Sequence, residues 1–269
     1  MQTREHAHLT REHEHLTREH SHMTREHAHL TQTITYATDK HNTLTYAPGA
    51  KATLDVPIYK LSLEEHGVTC VTISPFITSE LLERLWNLVN VQRHDKTHKL
   101  YEIDTHRFDL WDIAFLTQSI PTEIDDLVLK HIGPLSCTLV RKSCGILPLL
   151  KEESCPGKWH RDTIPLFDQF TSDPVESEYH TLMLPDFYYT VFIPLDVTNK
   201  STEFVLSSHH TRASELHQLN YVTIEHDKTQ MLIMNGKLVH RGGMQHENRM
   251  LLYMIYCPVW YAEEKYIEF

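Results

Sequence analysis

From residue 137 to residue 259 the chain is a succession of short segments rich in β-branched and aromatic residues, and this pattern constrains its fold more than any other feature. The segments 137–150, 186–197, 203–207, 221–225, 230–234 and 250–259 are of strand length, and polar or Gly/Pro punctuation separates them. None approaches the roughly 20 apolar residues of a membrane span. One more strand is expected earlier, over 68–73, with a turn at Ser74-Pro75-Phe76. Two helices precede the strand-rich half. Over 78–91, Leu81, Leu82, Leu85, Trp86, Leu88 and Val89 recur at helical spacing, with Glu80 in the first turn. Over 122–132, Thr122 and Asp125 have the spacing of a capping box and Gly133 stands where a helix stops. Helices first and many strands afterwards predict a mainly β fold, a sandwich or barrel with flanking α-helices.

Residues 1–31 lie outside this pattern. Residues 3–30 are four copies of a seven-residue unit, from Thr3-Arg4-Glu5-His6-Ala7-His8-Leu9 onward. A coiled coil needs two apolar seam positions per heptad. This repeat offers one, occupied by Leu9, Leu16, Met23 and Leu30. It therefore reads as a low-complexity tail, disordered or partly helical. The recurring pairs His6/His8, His13/His15, His20/His22 and His27/His29 give a second reading, a metal-buffering or pH-sensing tract. Residues 32–60 are Thr-rich and read as an arm or linker, and 61–269 as the folded domain. The N-terminus shows no apolar leader and the C-terminus no Ser-Lys-Leu tripeptide, so a cytoplasmic location is expected. Five cysteines, Cys70, Cys137, Cys144, Cys155 and Cys257, lack metal-finger spacing and read as reduced thiols. A formal net charge of -11 argues against a nucleic-acid partner held by phosphate neutralisation. No membrane partner is expected, and no oligomeric state is signalled.

His160-Arg161-Asp162 is the one His-x-Asp of the chain. In an extended segment residues i and i+2 share a face, so His160 and Asp162 point the same way while Arg161 points away. One imidazole and one carboxylate on a face are two thirds of the 2-His-1-carboxylate set that holds non-haem Fe(II). The third ligand must come from another strand. His240, in Leu238-Val239-His240-Arg241-Gly242-Gly243, is the best candidate, at the end of a strand-like run and before a glycine turn. Three ligands on one face of an octahedral ion leave positions for a chelating 2-oxoacid and for O2. A co-substrate with a distal carboxylate then needs a cationic partner. Arg249, nine residues past His240 at the head of the last strand, suits that role through its planar fork.

The text around these residues resembles the phytanoyl-CoA dioxygenase family. Pro156-Gly157-Lys158-Trp159-His160-Arg161-Asp162 is similar to that family's first metal motif. Thr202-Glu203-Phe204-Val205-Leu206-Ser207-Ser208-His209 is similar to its strand ending in Pro-Gly-Ser-His, and the stretch from Met234 to Arg249 to its second metal motif and co-substrate arginine. The resemblance covers about residues 68–260. It implies a double-stranded β-helix (a jelly-roll or cupin-like barrel), Fe(II), 2-oxoglutarate, O2, and hydroxylation of an unactivated C–H bond of a small-molecule substrate with release of succinate and CO2. It leaves room for ascorbate as an accessory reductant. Position by position, His160, Asp162 and His240 match the iron ligands and Arg249 the 2-oxoglutarate clamp. Asp162 keeps the carboxylate that halogenating relatives lack. Ser207 departs from the usual Pro-Gly, and Gln245 stands where asparagine is common. Two other readings compete: a binding module with a vestigial site, and a cupin-like metalloprotein with other chemistry. The intact ligand set speaks against the first, and the lack of a His-x-His in the body against the second.

Around the site, His209 and His210 read as turn histidines, Trp159 as packing and Lys158 as an exposed turn lysine. Of Tyr188, Tyr189, Tyr253 and Tyr256, alternation turns about half inward, where one could reach the co-substrate. The polar stretch 167–185 reads as a solvated loop or as a lid over the metal.

Overall fold

A computed structural model of the chain describes residues 46–94, 118–133, 138–149, 151, 156–163, 171, 173–244 and 247–261, with the side chains of 92–94 and 149 left aside. The repeat tail, residues 32–45 of the 32–60 arm, Cys137, Cys155, Gln245 and residues 164–170 lie outside them. Among the described residues eight strands follow in chain order: β1 (Val68–Thr72), β2 (Leu139–Leu149), β3 (Tyr189–Pro194), β4 (Thr202–Phe204), β5 (Val222–Thr223), β6 (Gln230–Asn235), β7 (His240–Gly242) and β8 (Arg249–Pro258). They form two antiparallel sheets, a five-stranded one ordered β1-β6-β3-β8-β2 and a three-stranded one ordered β5-β4-β7. The helices are α1 (Leu63–His66), α2 (Ser79–His94), α3 (Thr122–Ile132) and α4 (Pro174–Met183). No helix among the described residues is long and apolar enough to cross a membrane.

Strand alternation sorts the large sheet into two faces. Ile146, Val191, Ile193, Met231, Ile233, Leu252 and Met254 turn toward Leu85 and Val89 of α2 and Ile124 and Val128 of α3. Their neighbours Leu147, Phe192, Leu232, Met234 and Leu251 turn the other way, onto Phe204, Val222 and Leu238 of the smaller sheet and its turn. Both faces are covered, which is why β3 and β8 read as nearly unbroken apolar runs. The described end of the arm belongs to this second layer. Ala52, Leu54, Val56 and Ile58 pack on it, and Ala52 N donates to Tyr221 O at 2.8 Å.

The α2 helix starts where expected, with Thr78 Oγ1 accepting from Leu81 N at 3.2 Å. In α3 the expected stop holds, since Gly133 takes φ 79 and returns its N–H to Leu129 O. The expected capping box does not form. Pro121 takes the N-cap position, which moves Thr122 inside the helix. Asp125 instead accepts from Tyr256 Oη at 2.5 Å and pairs with Arg141 at 3.4 Å, a tertiary use that local spacing does not reveal. The stretch read as a loop or lid contains α4. Asp173 caps it, accepting from Val175 N at 2.9 Å, and Pro174 fills the first turn. Its amphipathicity is inverted. Ser177, Glu178, Thr181 and Leu182 are buried, while Val175, Tyr179 and Met183 face outward.

Gly67 ends α1 in the left-handed region at φ 76, and a Cβ there would lie 2.7 Å from both His209 Nδ1 and Leu238 Cδ1. Left-handed backbone costs a β-carbon-bearing residue about 1–2 kcal/mol before any clash. Gly67→Ala is expected to lower the unfolding free energy by about 2 kcal/mol or more in urea denaturation, with an unchanged m-value.

Candidate metal centre

The two candidate histidines, far apart in sequence, meet through their backbones. His160 N donates to His240 O at 3.0 Å, and His240 N donates to His160 O at 3.0 Å. Gly157 N donates to Gly242 O at 2.8 Å and Thr163 N to Gly236 O at 2.9 Å, so residues 157–163 lie antiparallel along β7 and the turn before it. The segment thereby extends the smaller sheet past β7. His240 opens β7 instead of ending a strand, because Gly236 and Lys237 make the turn out of β6 and Leu238 N closes it onto Asn235 O.

Directly paired residues project to one side of a ladder, and Asp162, two residues on, joins them. The ligand atoms of His160, Asp162 and His240 all lie within 4.8 Å of one another. Asp162 Oδ1 is 3.6 Å from His160 Nε2 and 3.5 Å from His240 Nε2. The other ring nitrogens are engaged elsewhere: His160 Nδ1 with Lys158 O at 2.9 Å, His240 Nδ1 with Leu238 O at 3.1 Å. Each Nδ1 donates to its carbonyl in the neutral tautomer, which leaves an Nε2 lone pair facing Asp162. The second carboxylate oxygen, Oδ2, accepts from Thr190 Oγ1 of β3 at 2.5 Å. Two imidazoles and one oriented carboxylate converge on a point, with Phe192 and Phe204 flanking the His240 ring. This donor set fits a divalent first-row metal.

Arg249 is brought to a neighbouring cluster and is not one of the three converging groups. It is buried and donates to Asn199 Oδ1, whose amide nitrogen donates to Thr202 Oγ1 at 3.0 Å. His226 closes the cluster, paired with Asn199 through reciprocal backbone hydrogen bonds; burial holds its ring pKa down to about 4, so the ring is neutral at pH 7. Burial likewise pushes the Asp196 carboxyl pKa up, against hydrogen bonds from Met250 N and Val197 N and the nearby Arg249 charge. Strand β4 joins the cluster to the triad. Thr202 lies at the Asn199 end, and Phe204 pairs with His240 at the other, two residues or about 7 Å of strand away.

The tyrosines sort cleanly. Tyr256 faces α3, Tyr189 lies in the helix-side core, and Tyr188 packs edge-on to Tyr261. Tyr253 alone of the four lies in the layer between the sheets, on the same face of β8 as Arg249. Its ring lies against Gly145, where a Cβ would stand 2.4 Å from the hydroxyl. The glycine in mid-strand was a signal that something approaches closely there. His209, buried in a short 3₁₀ turn, meets Glu64 O at 3.1 Å and is held neutral by burial, its pKa lowered to about 4. Trp159 packs as expected, with Arg241 4.3 Å over its ring and Tyr221 edge-on.

No family model and no curated protein matches this sequence. Solved structures do match the fold. AviO1 from Streptomyces viridochromogenes Tue57 superposes with TM-score 0.54 at 16% identity, over 78% of this chain and 97% of that one. EctD from S. alaskensis, solved with 2-oxoglutarate and 5-hydroxyectoine, gives 0.51 at 12% identity, over 82% and 86%. EvdMO1 gives 0.51 at 16% identity, over 73% of this chain and 48% of its own. At these identities the likeness is one of fold.

Thr190 is the residue that holds Asp162 toward the two imidazoles. Thr190→Val keeps the shape and removes the donor, and it is expected to weaken binding of Mn2+ or Co2+ by about tenfold in an anaerobic titration.

Proposed function

We propose that the chain is a non-haem Fe(II)- and 2-oxoglutarate-dependent oxygenase that hydroxylates an unactivated C–H bond of a small molecule and releases succinate and CO2. His160, Asp162 and His240 are its metal ligands, and Arg249 holds the distal carboxylate of 2-oxoglutarate. On this reading the two sheets are those of a double-stranded β-helix, and the sequence resemblance to phytanoyl-CoA dioxygenases supports a kinship with that branch of the oxygenases. The observation that carries this reading is the triad: two Nε2 atoms and one carboxylate oxygen facing one point, with every remaining ligand-side atom tied to a carbonyl or hydroxyl. The fold shared with EctD, a structure solved with 2-oxoglutarate, supports the co-substrate.

Bound at the triad, Fe(II) supplies the activation of O2 at the expense of 2-oxoglutarate. The chain's own residues do the rest. Asp162 and the two histidines occupy one side and leave the other side open for exchangeable ligands. Arg249 offers a planar pair of donors to a carboxylate. Strand β4 runs from the Asn199–Thr202 end of the Arg249 cluster to Phe204 beside His240, so a diacid held at the metal would direct its far carboxylate toward the guanidinium along it. Tyr253 lies in the same layer, on the same face of β8 as Arg249, and would be the tyrosine to donate to that diacid. Phe192, Phe204, Leu147 and Leu251 make the surrounding layer apolar, which excludes water and strengthens the charge pairing within it.

Asp162→Ala and His240→Ala are each expected to abolish iron-dependent succinate formation, read by succinate release in a screen of acyl-CoAs, amino acids and free lipids with iron and ascorbate supplied. Full turnover in either variant refutes the assignment. Arg249→Ala is expected to raise the 2-oxoglutarate concentration for half-maximal turnover about ten- to a hundredfold, the loss of a charge-assisted hydrogen bond of about 1.5–3 kcal/mol. Anaerobic titration of the wild-type protein with Fe(II) and 2-oxoglutarate separates this reading from its rival: a weak visible charge-transfer band supports the enzyme, and its absence together with no succinate from any substrate supports a binding module with a vestigial site.

A further inference from the structure

Each of the two ligand-bearing segments carries a buried cation on the side away from the triad. Arg161 separates His160 from Asp162, and alternation sends its side chain inward to the opposite layer, where only 5% of it remains exposed. Its guanidinium donates from Nη1 to Ser208 O at 2.9 Å and to Lys237 O, and from Nη2 to Thr211 O at 2.5 Å. Its Nε lies 3.5 Å from Glu178 Oε1 of α4. Lys237 sits in the turn that delivers His240, with 2% of its side chain exposed. Its Nζ donates to Leu182 O at 3.4 Å and to Leu184 O at the end of α4, and pairs with Asp186 Oδ1 at 3.0 Å. Glu178 is also held, its Oε2 accepting from Ala213 N at 3.1 Å.

Two cations and two carboxylates make this cluster neutral; α4 with the residues after it supplies the acceptors for Lys237 and the carboxylate that faces Arg161, whose hydrogen bonds go to the carbonyls of Ser208, Thr211 and Lys237. The helix C-terminus is also where a positive charge is favoured. Desolvating ions is costly, and well-packed apolar residues often serve stability as well or better. Bulk stability therefore does not account for two such pairs placed one on each ligand segment. Geometry does. A metal site requires its ligands to be held within about 0.5 Å, and Arg161, by bonding the carbonyl of Lys237, ties the two segments to each other as well as to α4.

We propose that Glu178, the carbonyls of Leu182 and Leu184, and Asp186 form a charge clamp that sets the two halves of the metal site against each other, with Arg161 and Lys237 as its positioning residues. The proposal rests on the triad being a metal site. The stretch that sequence suggested as a lid is, on this account, a strut beneath the ligands.

The test is anaerobic titration of the full chain with Co2+, reading both affinity and the visible absorption of the bound ion, beside thermal unfolding of the metal-free protein. Variants are Glu178→Gln, Lys237→Met and the milder Asp186→Asn, with Arg141→Met as a control that removes an ion pair on the far side of the large sheet. The expected result is a ten- to hundredfold loss of Co2+ affinity with an altered absorption band in the clamp variants, while Arg141→Met lowers the melting temperature and leaves affinity and band unchanged. If Glu178→Gln or Lys237→Met does not fold, Asp186→Asn decides alone. Clamp variants that bind Co2+ with wild-type affinity and an unchanged band overturn the proposal. Wild-type protein whose Co2+ binding is indifferent to His240→Ala overturns the metal site itself, and the two failures are thereby told apart.

Discussion

The pair of backbone hydrogen bonds exchanged by His160 and His240 is the interaction on which the site depends. It turns a separation of 79 intervening residues between the histidines into one rung of an antiparallel ladder. Once that rung exists, the side chains of both residues must project to the same side, and pleating brings Asp162 to that side as well. The convergence of three ligands thus needs no unusual loop. It follows from strand geometry, provided the two segments are aligned residue for residue. A slip of one position would turn His240 away from the cavity and bring Val239 or Arg241 into it.

That alignment is protected from several directions. Gly157 and Thr163 add rungs on either side of the histidine pair, and Gly236 permits the turn to pass close to Tyr188, whose Cδ1 would lie 2.3 Å from an added Cβ. Behind the segment, the side chains alternate with the ligands. Trp159 packs under Arg241 and beside Tyr221, while Arg161 reaches the turn at Ser208 and Thr211. In front, Thr190 of the large sheet fixes the carboxylate. The site therefore belongs to both sheets: the smaller contributes the ligands and the larger contributes their orientation.

Much of this was legible in the residues. The strands could be read because both layers of the large sheet are apolar and its strands are correspondingly rich in Val, Ile, Leu and Phe. The His-x-Asp pair could be read because period-two alternation is a property of any extended segment. The parts that sequence misjudged are those where a polar residue has a distant partner. Asp125 carries capping-box spacing but serves Tyr256 and Arg141 instead. The α4 helix hides because its buried face is Ser177, Glu178 and Thr181, the reverse of the usual stripe, so an amphipathicity rule scores it as solvated loop. Arg161 could be aimed away from the metal by alternation, but nothing local shows that it ends among carbonyls from two other segments. Arg249 is at the predicted place on the predicted strand, and its engagement with Asn199 depends on a turn some fifty residues earlier.

The two imidazoles differ in their access to water. His240 is almost sealed, with 5% of its side chain exposed, whereas 41% of the His160 side chain remains open. The triad thus has an inner and an outer imidazole: among the described residues its solvent-facing side is the His160 side, so a bound ion would be open to exchange through its outer ligand while the inner one stays shielded.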